Sequence, residues 1–187
     1  MEFSQVVANR HSVRDFTDQP VSDAHLASLL EAARWAASCF NAQPWHLVVA
    51  RRDREPEAHA AIAACLSGNN QAWAPKAPVL MVSVARLDFA HNGRPNRHAA
   101  YDTGAAMAQM AIQAAALGLQ LHQMGGFDLD RAREALRIPD GYEPRAAIAL
   151  GHPGPAGALP DELAQRETAP RQRRPVGEWV HFGGWKG

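Results

Sequence analysis

The sequence predicts one domain of mixed α and β structure, in which helices cover a sheet. Segments typical of strands and of helices alternate along most of the chain. One long segment consists almost entirely of small and apolar residues, as in a helix that is packed on several sides. With 187 residues, 47% of them hydrophobic, the chain can bury a sizeable core without disulfides or a structural metal. Two-layer and three-layer arrangements, of the α/β or the α+β class, both fit this pattern.

Five elements are predicted in the first half of the chain. They are a short helix at Ser4–Asn9, a helix at Asp23–Ala37, a strand at His46–Ala50, a helix at Glu57–Leu66 and a strand at Pro78–Ala85. The first long helix follows Ser22, a good N-cap residue, and carries apolar side chains at helical spacing. The second strand is rich in β-branched residues and lacks polar alternation, which indicates burial on both faces.

The second half continues the alternation after a polar loop at Leu87–His98. Its predicted elements are a central helix at Asp102–Leu117, a strand at Leu119–Met124, a helix at Asp130–Arg137, a strand at Arg145–Gly151 and a short helix at Asp161–Glu167. Gly118 is a natural residue to end the central helix, because glycine readily adopts the left-handed conformation found there.

The C-terminal segment, Pro170–Gly187, has no core of its own. It carries Trp179, Phe182 and Trp185 among glycines and basic residues. Exposed aromatic side chains cost hydrophobic free energy, so we expect this segment to lie across a partner. The sequence therefore predicts a dimer.

The balance of charges excludes several classes of partner. The chain has 19 Lys and Arg residues against 19 Asp and Glu residues, without the basic excess of a general nucleic-acid or anionic-membrane surface. The longest apolar run, at 77–85, is far shorter than the ~20 residues that cross a bilayer. Met1–Asn9 lacks the basic and apolar regions of a secretory signal. We therefore expect no nucleic acid, no membrane and a cytoplasmic location.

Metal and nucleophile chemistry leave no pattern in the sequence. Cys39 and Cys65 form neither a CxxC pair nor a zinc knuckle, and the nine histidines lack ligand spacing. No Ser-His-Asp or Cys-His arrangement, Walker A loop or GxGxxG motif is recognisable. We therefore expect no bound metal and no catalytic nucleophile.

Three short segments are candidates for ligand binding. Arg10, Ser12 and Arg14 alternate, so in an extended turn two guanidinium groups flank a hydroxyl, as in a phosphate pocket. The alternative is a solvated basic turn with Asp15 and Asp18 as counter-ions.

The other two candidates are the loop at Ser38–Trp45 and the Gly125-Gly126 turn. The loop presents small polar groups, two amides and an indole between a helix and a strand, and the glycines could offer backbone N–H groups to a ligand. Alternatively, the loop is a helix-ending turn whose amides satisfy the backbone, and the glycines form only a tight turn.

Taken in order, four segments resemble the FMN-dependent nitroreductase family, of which this chain would be a short member. The segments are Arg10–Arg14, Ser38–His46, Gly125–Asp128 and Arg171–Pro175. The resemblance implies an α+β sandwich with a central mixed β-sheet flanked by helices, in an intertwined homodimer with two FMN sites at its interface. Residues 1–187 would form a single FMN-binding domain, with 170–187 as an arm that adds to the partner's sheet.

The resemblance also implies a set of FMN-binding residues. Arg10, His11, Ser12 and Arg173 match contacts to the phosphate and ribityl chain, Arg14 a cation near N1 and O2 of the flavin, and Asn70 an amide at the pyrimidine edge. Gly125 and Gly126 match a turn that offers an N–H to flavin N5. Ser38, Cys39, Asn41 and nearby Gln43 match the loop contributed by the other subunit.

Two positions depart from the family's pattern. Trp73 stands where some members carry a lysine toward the flavin, and the Leu87–His98 loop lacks the long helical insertion of larger members. The first departure leaves the redox potential open, and the second leaves the choice of substrate open.

The implied activity is an NAD(P)H-dependent oxidoreductase. NAD(P)H would reduce FMN, and an organic acceptor of the nitroaromatic, quinone or enone-like class would then be reduced at the same site in a ping-pong order. Because the cofactor supplies the reactive atom, no catalytic side chain is needed. Two alternatives stay open: an FMN-binding storage or redox-sensing protein with little turnover, and a colourless phosphate-binding or structural dimer.

Overall fold

The computed structural model describes residues 4–155, 157 and 159–185. Its strands are β1 (Trp45–Arg51), β2 (Val79–Arg86), β3 (Gln120–Met124) and β4 (Tyr142–Gly151). Its helices are α1 (Gln5–Asn9), α2 (Asp23–Arg34), α3 (Pro56–Cys65), α4 (Asn70–Trp73), α5 (Ala99–Ala116), α6 (Leu129–Ala135) and α7 (Asp161–Thr168). Short 3-10 turns lie at Cys39–Asn41, Ala74–Lys76 and Val176–Glu178.

The four strands form one sheet in the order β1-β2-β4-β3. Every neighbouring pair in this sheet is antiparallel. The expected α+β class is confirmed, but the mixed sheet is not what the described residues form. Because β4 runs opposite to both of its neighbours and β1 runs opposite to β2, a parallel pair would need a further strand, such as one from a partner's arm.

The sheet has a hydrophobic core on each face, which makes three layers. Leu80 and Val82 of β2 pack with α3, α6 and Trp73, whereas Val79 and Met81 pack with α2 and α5. Every residue of β2 up to Ala85 is buried, which confirms the predicted burial on both faces.

Capping residues in the sequence correctly predicted two helix ends. The Ser22 hydroxyl accepts a hydrogen bond from the His25 backbone N–H at 3.1 Å, as expected of an N-cap. Gly118, at φ 73°, follows the last turn of α5. Helix α2 ends at Arg34 rather than Ala37, and the Trp35 indole N–H folds back to the Glu31 carboxylate at 2.8 Å.

Strand β4 begins three residues before the predicted start, and it includes Pro144. Proline lacks the N–H that a central strand donates. The pairing between β2 and β4 shifts register between Ser83 and Val84, opposite this proline. The Ser83 hydroxyl accepts from the Ala146 backbone N–H at 3.1 Å and so supplies a bond beside the irregularity. A side chain therefore compensates for the interrupted ladder.

Helix α5 is buried along one side only, against the core that contains Val79, Met81 and α2. Its opposite side presents Tyr101, Gly104 and Ala108, all exposed in the single chain. The expectation of close packing on several sides is thus not met within one chain.

Among the described residues, no helix is long and apolar enough to span a membrane.

Candidate functional site

The segment from Arg10 to Arg14 is held against strand β3 by side chains of that strand. Gln120 Oε1 accepts from the His11 backbone N–H at 2.8 Å, and Gln120 Nε2 donates to the Asn9 carbonyl at 3.1 Å. His122 Nδ1 lies 2.8 Å from the Val13 carbonyl oxygen. Burial lowers the pKa of His122, so its ring is neutral at pH 7 and donates from Nδ1.

Arg10 and Ser12 project to the same side of this segment, as predicted. Arg10 Nη1 donates to the Ser12 hydroxyl at 3.2 Å. Arg14 instead turns to Glu167 of α7: its Nη1 lies 3.3 Å from one carboxylate oxygen, and its backbone N–H donates to the other at 3.0 Å. Sequence reasoning missed Glu167, which stands 153 residues away.

The alternative interpretation of this segment assigned two aspartates as its counter-ions. Asp18 instead pairs with Arg52 at 2.7 Å. Asp15 is buried and its carboxylate packs beside Gly154. Neither aspartate forms a salt bridge with Arg10 or Arg14 among the described residues. The simple solvated turn is therefore not what the chain forms.

The start of the C-terminal segment is fastened to the same place. Arg171 Nη1 donates to the Arg10 carbonyl at 2.8 Å, and its Nη2 donates to the Ala8 carbonyl at 2.6 Å. These bonds bring Arg173 to the side of Arg10. Arg171 belongs to the Arg171–Pro175 segment that resembles the family, but the resemblance implies no cofactor contact for it.

These basic residues line an open cleft, called here the arginine cleft. Its volume is about 590 Å³, and its lining residues are Val7, Ala8, Arg10, Arg171 and Arg173. Burial lowers the pKa of the Arg10 guanidinium, and the nearby charges of Arg173 and Arg171 lower it further. None of the described residues that line the cleft is acidic. The cleft therefore carries unbalanced positive charge and suits an anion.

Asn70 and the glycine turn meet at one end of β3. Asn70 Nδ2 donates to the Gly126 carbonyl at 3.0 Å, and the Ser67 backbone N–H donates to the same oxygen at 3.0 Å. A Cβ on Gly126 would lie 2.8 Å from Asn70 Nδ2, whereas a Cβ on Gly125 would meet open space. A side chain at 126 would therefore displace the Asn70 amide, which α4, a helix that the sequence did not predict, places there.

Trp73, the position that departs from the family's pattern, is a core residue. Its side chain is 1% exposed and lies between two other rings. The ring centroids are 6.3 Å from Phe16 and 4.6 Å from His122. The indole therefore packs against His122, whose ring in turn is hydrogen-bonded to the Arg10–Arg14 segment.

The loop at Ser38–Gln43 adopts a rarely populated backbone conformation. Phe40, Asn41 and Gln43 have φ values of 53°, 52° and 47°. Non-glycine residues seldom enter this left-handed region, and each instance costs on the order of 1–3 kcal/mol. The Ser38 hydroxyl accepts from the Gln43 backbone N–H at 3.0 Å, and the loop is thereby closed on itself.

A second bond ties this loop to the start of α5. The buried Asp102 carboxylate accepts from the Cys39 backbone N–H at 3.0 Å. The Phe40 ring is 84% exposed and meets Phe89 edge to face at 5.8 Å. The strained loop therefore holds its shape through Ser38 and Asp102, while one large ring points outward.

Within one chain, this loop and the Arg10–Arg14 segment lie at opposite corners of the sheet. The loop leads into Trp45, the first residue of edge strand β1. The segment binds Gln120 on the other edge strand, β3, nearly level with the last residue of β1. A strand rises ~3.3 Å per residue, and neighbouring strands lie ~4.8 Å apart, so the loop and the Arg10–Arg14 segment are roughly 20 Å or more from each other. One chain does not bring the two sets of residues together.

One family model matches most of this chain, and several known proteins are similar to it. The sequence model of the nitroreductase family matches residues 7–152. An uncharacterized 15.4 kDa protein from Mycolicibacterium smegmatis is 38% identical over 118 residues, which are 63% of this chain and 77% of that protein. A Thermus thermophilus protein named NADH dehydrogenase is 32% identical over 179 residues, with 79% of this chain and 85% of that protein covered.

A solved structure described as an oxidoreductase containing FMN has the same fold. It superposes with a TM-score of 0.93 and 36% sequence identity, and the match covers 100% of this chain and 94% of the other. The family match spans most of the chain, from the Arg10–Arg14 segment through the glycine turn to the end of β4. This chain belongs to the nitroreductase family.

Proposed function

We propose that this protein is an FMN-dependent oxidoreductase that uses NAD(P)H to reduce an organic acceptor in a ping-pong order. When bound, FMN would supply the hydride acceptor for the nicotinamide and the hydride donor for the second substrate. The acceptor would be a nitroaromatic, a quinone or an enone-like compound. The names of the relatives support the cofactor and the reductant, because they include an NADH dehydrogenase and an oxidoreductase containing FMN.

The observation that carries this proposal is the unbalanced charge of the arginine cleft. Arg10 and Arg173 face one opening, and none of the described residues that line it carries a carboxylate. Guanidinium groups bind phosphate through charge-assisted hydrogen bonds, which are stronger than those between neutral groups. The Ser12 hydroxyl, already bonded to Arg10, can donate a further hydrogen bond. These residues fit the phosphate of FMN, with His11 at the start of the ribityl chain.

The residues proposed for the ring end fit this assignment as well. Asn70 and Gly126 are joined by a hydrogen bond of 3.0 Å, which fixes the orientation of the amide. In this proposal Asn70 binds the pyrimidine edge, and the backbone of Gly125 and Gly126 faces N5. Arg14 supplies a cation beside N1 and O2, where its charge favours the reduced ring.

The remaining proposed contacts need a second copy of the chain. Ser38, Cys39, Asn41 and Gln43 lie far from the arginine cleft within one chain, so in this proposal they reach the partner's FMN. Two exposed surfaces support a homodimer: the outer side of α5, with Tyr101, and the C-terminal arm. In that arm, Phe182 and Trp185 are each 85% exposed. Burying them in an interface would be favourable.

A visible spectrum and a turnover assay of the purified protein test the proposal. We expect bound flavin absorption, bleaching by NADH or NADPH under anaerobic conditions, and recovery of the colour when a quinone or nitroaromatic is added. A colourless protein that also fails to bind added FMN would contradict the proposal. A yellow protein that neither nicotinamide reduces at a useful rate would favour the storage or sensing alternative.

A further inference from the structure

Glu167 is an acidic residue in otherwise basic surroundings. Burial, the largest cause, lowers the pKa of His11 and of His122, whereas the charge of Glu167 raises both values. Among the described groups that influence these two histidines, Glu167 is the one carboxylate, and Arg14 acts on both. The Glu167 side chain is 7% exposed. Its charge is therefore screened less by solvent than that of an exposed carboxylate.

The two bonds from Glu167 to Arg14 serve different purposes. The backbone N–H bond at 3.0 Å fixes the chain at Arg14, and the contact with Nη1 at 3.3 Å fixes its side chain. The same carboxylate thus orients the guanidinium and cancels part of its charge. In every other ion pair among the described residues the carboxylate side chain is at least 37% exposed, so this shielded pair is suited to tuning charge.

We infer that Glu167 is a positioning residue that offsets the charge of Arg14 and thereby lowers the reduction potential of FMN bound beside it. The inference rests on the proposed function, which places Arg14 near N1 and O2. Reduction adds negative charge at that edge of the ring, and a cation there favours the reduced form. A carboxylate that partly neutralises the cation favours the oxidised form instead. Glu167 then makes the bound cofactor a stronger hydride donor toward the acceptor.

The Glu162–Arg166 pair on the same helix provides a matched control. Its charged atoms are 2.8 Å apart, but the side chains are 68% and 57% exposed. Exposed pairs of this kind contribute little, because solvent screens them. Glu162→Gln changes the net charge by the same amount as Glu167→Gln without touching Arg14. A difference between the two variants therefore reports the contact and not the net charge.

The test measures how tightly each protein binds oxidised and reduced FMN, by anaerobic titration of the apoprotein. Glu167→Gln keeps an oxygen that can accept from the Arg14 N–H but removes the charge. We expect its preference for reduced over oxidised FMN to rise about tenfold, which for two electrons is a potential about 30 mV more positive. Glu162→Gln should leave this ratio as in the unmodified protein. Glu167→Met, which removes the charge with an apolar side chain of similar length, should shift the ratio in the same direction.

Three results would overturn the inference. An unchanged ratio in Glu167→Gln would show that the carboxylate does not tune the cofactor, and a ratio shifted toward oxidised FMN would show that orientation outweighs charge. Glu167→Gln is also measured in a protein that already carries Arg14→Gln. If it shifts the ratio equally with and without Arg14→Gln, Glu167 does not act through Arg14. In all three cases the unmodified protein still binds FMN, so the proposed function stands. If no protein in the series binds FMN, the proposed function fails and the inference fails with it.

Discussion

The arginine cleft and the Ser38–Gln43 loop, the two regions proposed to bind the cofactor, are built in different ways. The cleft gathers unbalanced positive charge, while its backbone is fixed by Gln120 and Arg171. The loop carries no charged side chain and instead holds three residues at positive φ. Charge would attract an anion over some range of geometries, whereas a strained loop would present its neutral polar groups in one fixed geometry. The two regions should therefore respond differently to substitution.

Deleting Pro170–Gly187 is expected to have the largest effect. The deletion removes Arg171 and Arg173 from the cleft together with the exposed aromatics proposed for the dimer interface. FMN retention and dimerisation should both be lost, as measured by flavin absorption and analytical ultracentrifugation. Deleting only 176–187 sharpens the comparison, because it keeps both arginines. That shorter protein should lose the dimer and the partner's loop contacts while keeping a weak affinity for phosphate. A yellow dimer after the full deletion would refute the proposed arm.

Arg10→Ala combined with Arg173→Ala tests the cleft alone. Each hydrogen bond from a charged group contributes about 1.5–3 kcal/mol, so losing both should raise the Kd for FMN by about a hundredfold or more. Titration of the apoprotein with FMN measures this change. Arg54→Ala with Arg166→Ala is the matched control, since both arginines are about half exposed and lie outside the cleft. Equal affinities in the two double variants would remove the phosphate assignment.

Asp102→Ala tests the loop alone. The change leaves the Cys39 N–H without its acceptor, at a cost of about 1–3 kcal/mol, and releases the strained backbone. We expect lower stability in urea unfolding and a Kd for FMN raised by about tenfold, less than in the arginine double variant. Asp102→Asn keeps a side-chain oxygen and should retain most of both properties. Identical behaviour of the alanine and asparagine variants would mean that this bond does not shape the loop.

Arg14→Gln should have the smallest effect on binding. It removes the cation proposed for the N1 and O2 edge, so the reduced ring loses stabilisation and the reduction potential falls. A charge contact of about 1–3 kcal/mol corresponds to a few tens of millivolts for two electrons. Hydride uptake from NAD(P)H should slow accordingly, whereas FMN affinity should change little. A potential equal to or above that of the unmodified protein, in an anaerobic redox titration, would assign the tuning to another residue.

The predicted elements and the observed ones agree most closely where neighbouring residues decide the outcome. Ser22 caps α2 and Gly118 ends α5 because capping depends on a few adjacent backbone groups. Helix α4 was missed because its four residues give too short a pattern to recognise. The start of β4 was missed because Pro144 is not expected inside a central strand. The strand continues through this proline because Ser83, on β2, supplies a side-chain hydrogen bond beside it.

The sequence alone determined a layered domain of mixed α and β structure, the double burial of β2 and the shared side of Arg10 and Ser12. These features follow from spacing within single segments, which sets the direction of each side chain. Only the tertiary structure decided which distant groups meet: Arg14 with Glu167, Arg171 with the Arg10 carbonyl, and Asn70 with Gly126. It also placed the Ser38–Gln43 loop at the far corner of the sheet. The physical reason is that a charge or an amide can pair with any complementary group in reach, and only the packed chain decides which groups are within reach.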